Sequence, residues 1–100
     1  MTHDVVRNAI ETRIAVLVRA RNSSTDTDKR KAFKEAIDLL QNEVDGINIV
    51  TATQLNAKVD EIITRLKEIQ DEKALDAGSA LGRTIKKFQD LVGNPALGVN

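Results

Sequence analysis

Apolar residues recur along this chain in alternating steps of three and four, the period of one face of an α-helix. Val6, Ile10, Ile14, Leu17 and Val18 predict a first helix from about Asp4 to Arg21, stopped by Asn22-Ser23-Ser24. Thr2 or Asp4 is placed to cap its start, and Arg19 and Arg21 suit the negative end of its macrodipole. Phe33, Ala36, Ile37, Leu40 and Val44 predict a second helix. The Ser-Ser-Thr-Asp-Thr-Asp stretch before it offers several side-chain oxygens as N-caps. Gly46 marks its expected end, in the left-handed conformation that glycine reaches without strain, with Ile47 packing back on the last turn. No stretch alternates with a period of two for long enough to form a sheet.

The third helix has the clearest start. Thr51-Ala52-Thr53-Gln54 matches a capping box, and Val50 and Leu55 are spaced for a hydrophobic staple across it. The stripe then runs Leu55, Val59, Ile62, Leu66, Ile69, widened by Ile63, with the heptad spacing of a coiled-coil seam. It stops at Lys73, and a new stripe follows in Ala77, Leu81, Ile85, Phe88 and Val92. A turn is expected near Asp76–Ser79, with Ser79 capping a fourth helix. One bent helix from Ala52 to Val92 is the alternative. Gly93, Asn94 and Pro95 end the pattern.

These elements predict an all-α fold, a small antiparallel bundle of about four helices. Residues 1–92 form one domain and 93–100 a loose tail. Helix three, if it runs to Ala74, spans about 33 Å, and helix four only about 21 Å. That mismatch leaves part of the seam short of partners within one chain. The expected function is therefore non-catalytic: an interaction or oligomerisation module, such as a small adaptor or assembly factor. Its interface would be Leu55, Val59, Ile62, Ile63, Leu66 and Ile69, and its partner a second copy in a homodimer or another helical protein.

Composition narrows the alternatives. The chain is 41% apolar and 30% charged, which suits a globular domain, and its only aromatics are Phe33 and Phe88. Without Cys there are no disulfides, thiolate metal sites or cysteine nucleophiles, and a cytoplasmic location is expected. The longest apolar run near the start, Ile14 to Val18, is too short for a signal peptide or a membrane span. Fifteen cations balance fifteen carboxylates, so no strong overall field favours nucleic acid or anionic membrane.

Candidate chemistry is sparse. His3, the only histidine, sits near a terminus and lacks evident partners for catalysis or metal binding. The acidic residues fall outside the apolar stripes, and Asp26-Thr27-Asp28 lacks the glycine and distant glutamate of a calcium loop. Gly78-Ser79-Ala80-Leu81-Gly82 reads as a helix junction. No catalytic residue, metal ligand or cofactor is expected. The one functional alternative is a small nucleic-acid-binding regulator using Arg19, Arg21, Lys29, Arg30 and Lys31, gathered where helices one and two meet.

Overall fold

The computed structural model describes residues 2–76 and 78–93. Four helices follow one another: α1 (His3–Ser23), α2 (Thr27–Ile47), α3 (Leu55–Glu72, entered through a 3-10 turn at Ala52–Gln54) and α4 (Ala80–Gly93). No strand occurs among the described residues. α1 packs chiefly on α2 and α4 chiefly on α3, and the two hairpins close on each other as an all-α bundle. The expected tail lies, Gly93 apart, outside the described residues, and so does Ala77.

Side chains fix the helix ends much as their spacing suggests. Thr2 Oγ1 accepts from the Val5 N–H, and one Asp26 oxygen accepts from the Asp28 and Lys29 N–H groups at 2.9 and 3.1 Å. Gln54 Oε1 closes the capping box by accepting from the Thr51 N–H at 3.0 Å. Ser79 caps α4 through the Gly82 N–H at 3.1 Å. His3 is not a free terminal residue. It is half-buried, and its Nε2 donates to the Val50 carbonyl at 2.7 Å, tying the start of α1 to the α2–α3 connection.

Gly46 does not end α2. The helix continues through Ile47, whose side chain is wholly buried, and no described glycine has positive φ. Core burial of Ile47 outweighs the stop signal one residue earlier. Asn48 and Ile49 then tighten the chain with bonds back to Asp45 and Gly46. The helix also brings Glu43 inward, where its Oε2 meets Lys58 Nζ at 2.8 Å. That bond, outweighing desolvation, holds the Lys58 ammonium above its usual pKa.

The apolar stripes converge on one core. Val6, Ile10 and Leu17 of α1 meet Phe33, Ile37 and Leu40 of α2, with Leu81, Ile85 and Phe88 arriving from α4. The α3 seam is covered within the chain: Leu55, Val59, Ile62, Ile63 and Leu66 are 0–8% exposed. Only Ile69 is half-buried. This corrects the expectation of a seam left partly bare, and the reason is where α3 stops. The helix ends at Glu72 rather than Ala74, and α4 is laid back along it.

The turn that does this is a Schellman motif. The Leu75 N–H bonds to the Gln70 carbonyl at 3.0 Å and the Ala74 N–H to the Asp71 carbonyl at 3.3 Å. Leu75 is half-buried and packs on the core beside the last turn of α3. A single bent helix from Ala52 to Val92 is thereby ruled out. Ala74 sits at φ 55°, where an L side chain costs about 1–2 kcal/mol. Replacing it with glycine removes that strain and adds about 0.4–1 kcal/mol of unfolded-chain entropy to be lost. Ala74→Gly should therefore stabilise the chain by roughly 0.5–1 kcal/mol in urea melts. A loss of stability would mean that the turn is not built on this conformation.

Candidate interaction groove

α1 carries a second stripe beside the one that fills the core. Ala9, Thr12, Val16 and Ala20 follow one another by three or four residues, and the three apolar members are only half-buried. α4 runs antiparallel to this side of α1. Leu91 lies near Asn8 and Ala9, and Ser79 and Ala80 lie near Ser23. Between the two helices is a furrow made of adjoining hollows. One is lined by Ala9, Thr12 and Arg13 with Lys87 and Leu91, and the next by Arg13, Val16, Arg19 and Ala20 with Arg83, Lys86 and Lys87.

The furrow's floor is aliphatic and its rim is cationic. Arg13 and Arg19 stand on the α1 side and Arg83, Lys86 and Lys87 on the α4 side. Asp90 is the only carboxylate lining these two hollows, and it pairs with Lys86 at 2.9 Å. Among the described residues, Arg13, Arg19, Arg83 and Lys87 make no ion pair.

One of these cations is held in place. Arg13 Nε donates to Thr84 Oγ1 at 3.1 Å, and the wholly buried Thr84 hydroxyl donates in turn to the Ala80 carbonyl at 2.8 Å. Burial lowers the Arg13 pKa below the ordinary arginine value, and the nearby Arg83 charge lowers it further. Arg13 still carries its proton at neutral pH, so the furrow holds a cation repelled by its neighbour.

The zero net charge conceals this arrangement. α1 has four cations and two carboxylates and α4 three and one, so each is net +2. α2 has four against five and α3 three against five, so they are net −1 and −2. Charge is sorted by helix, with the positive pair lining the furrow.

The basic cluster read from the sequence is divided. Arg19 lines the furrow, and Lys29 a neighbouring hollow beside the α3–α4 turn. Arg30 bends back instead, its Nη1 donating to the Arg21 and Ser24 carbonyls at 2.8 and 3.0 Å. It satisfies the end of α1, and Lys31 stays on the exposed face of α2. Arg21, Arg30 and Lys31 therefore do not line the furrow with Arg19. Arg13, Arg83, Lys86 and Lys87 are the cations that sequence reasoning missed. The available signal was the shallow Ala9-Thr12-Val16-Ala20 stripe, but its α4 neighbours lie some seventy residues away.

Five of the six seam residues proposed as an interface are core, as described above, and no acidic or histidine cluster takes their place as a site. Among the described residues no three His, Asp or Glu side chains gather as a metal site, and no helix is long and apolar enough to cross a membrane.

If Arg13 and Arg83 repel each other, Arg83→Gln should raise stability at low ionic strength. Arg83 is exposed and Arg13 only half-buried, so solvent screens the pair; the gain should be about 0.2–0.5 kcal/mol and should shrink with added salt. Urea melts at low and high sodium chloride measure it. A loss of stability, or a gain indifferent to salt, would remove the charge-repulsion account. Comparison with protein families, with curated proteins and with solved structures finds no match, so function rests on geometry and charge.

Proposed function

We propose that this chain is a non-catalytic protein-interaction module that receives its partner along the α1–α4 furrow. The observation that carries this reading is a half-buried aliphatic floor edged by five cations, four of them without an ion pair among the described residues. Such charges favour an anionic partner, and burial of the floor supplies affinity that charge alone does not. The furrow offers no nucleophile-and-base pair and no gathered carboxylates, which favours binding over catalysis. A chain without cysteine is well suited to the reducing cytoplasm, where we place the module.

The partner is better sought in another protein than in a second copy. With five seam residues in its own core, this chain retains little of the apolar face that a homodimer through α3 would need. Nucleic acid is the second reading, favoured by the row of cations. It is weakened by the acidic balance of α2 and α3, which a long polyanion would meet on leaving the furrow. Phe33 and Phe88 are both buried, so neither provides a platform for stacking bases.

Site-specific photo-crosslinking in the cells that make the protein tests this reading. A photoreactive residue at Thr12 should yield discrete protein adducts, and one at Asn56 on the exposed face of α3 should yield none. Adducts at Asn56 alone, or at neither position, would overturn the placement of the working surface.

A further inference from the structure

The furrow's own dimensions and chemistry describe its occupant. Resting on the reading of the furrow as a protein-binding surface, we propose that it takes an amphipathic, acidic α-helix of a partner protein, laid along α1 and α4 as a fifth helix of the bundle.

Shape is the first argument. The α1 side extends from Asn8 to Ser23, about 22 Å at 1.5 Å per residue, which matches a helix of roughly sixteen residues. The floor residues recur with helical spacing, so they form a ridge that another helix can straddle. Alanine at positions 9 and 20 keeps that ridge low, and close approach of helix axes depends on small side chains at the contact. A helix lying in an apolar groove and read through anchors at i, i+3, i+4 and i+7 is an established mode of peptide recognition.

Charge is the second argument, and it separates this occupant from its rivals. Arg13 and Arg19 stand on one wall and Arg83, Lys86 and Lys87 on the other, so an entering helix would meet cations on both flanks. Carboxylates flanking an apolar stripe satisfy both walls while the stripe covers Val16 and Leu91. A carboxylate near Arg13 would also offset its repulsion by Arg83. A phosphate backbone matches the cations but leaves the aliphatic floor uncovered. A second copy brings acidic faces on α2 and α3, but Ile49 is the only large apolar side chain standing clear of the core among the described residues.

A fluorescein-labelled eighteen-residue synthetic helix tests the proposal, with leucines along one stripe and glutamates flanking it. Its controls are a scrambled peptide of the same composition, a peptide with lysine in place of each glutamate, and a labelled twenty-base-pair DNA duplex. Fluorescence anisotropy against the full chain should show the acidic amphipathic peptide binding at least about tenfold more tightly than each control. Arg83→Gln/Lys87→Gln should weaken it about five- to tenfold at low salt while the circular dichroism melt stays cooperative and falls no lower than that of the wild type, since both side chains are exposed. Val16→Ser should weaken it as well, because part of the floor is lost.

Equal binding of the scrambled peptide would overturn the helical occupant, and tighter binding of the duplex would favour nucleic acid in its place. Absence of binding, or binding indifferent to all three substitutions, would overturn the proposal too. Crosslinks at Thr12 with failure of the peptide would leave the module standing with a partner of other chemistry. Loss of both would remove the furrow as a working surface.

Discussion

The covering of the α3 seam by α4 is the contact on which the rest of the structure depends. Leu55, Val59, Ile62, Ile63 and Leu66 are aliphatic and carry no polar group that could make exposure tolerable. Each would forfeit about 1.5–3 kcal/mol if left in water, against a total stability of about 5–15 kcal/mol for a small domain. α4 meets that demand with Leu81, Ile85 and Phe88, all buried. The turn at Lys73–Ser79 makes this possible by reversing the chain within seven residues, even at the expense of a left-handed alanine.

What α4 gives to α3 it withholds from α1. Its apolar face points into the core, so along its α1 side it offers mainly Arg83, Lys86, Lys87 and Asp90. α1 likewise spends Val6, Ile10 and Leu17 on the core and leaves a shallow row of alanine and valine at this edge. Two helices of net +2 therefore lie alongside each other over a thin apolar floor. Thr84 stiffens the arrangement by fixing the Arg13 guanidinium. The Arg13 and Arg83 charges repel each other across this floor. On α2 and α3 three cations are paired with carboxylates: Lys34 with Asp38, Lys58 with the inward-facing Glu43 and with Glu61, and Arg65 with Glu61.

Local patterning carried most of the fold. Helical spacing located all four helices, and the caps at Thr2, Asp26, Thr51 and Ser79 were visible as short polar residues before apolar stripes. The misreadings share a physical cause. Gly46 as a stop, Ala74 as helix and Ile69 as the tip of a bare seam each depend on how an end packs against distant residues. The furrow was hidden for the same reason, because its two walls come from opposite ends of the chain. Net charge concealed it further, since a sum over the sequence cannot report that the positive excess lies on α1 and α4. The cluster at Lys29, Arg30 and Lys31 was visible, but Arg30 is occupied in capping α1.

Solution mass tests most directly that one chain buries its own seam. Light scattering of the wild type and of Ile69→Lys should return the same monomer mass for both, 11.0 kDa, across a wide range of concentration. Ile69 is the seam residue nearest to solvent, so a lysine there would disrupt an interface built on α3 while leaving the buried residues in place. A wild-type dimer that Ile69→Lys dissociates would show that α4 does not satisfy the seam, and would contradict the account.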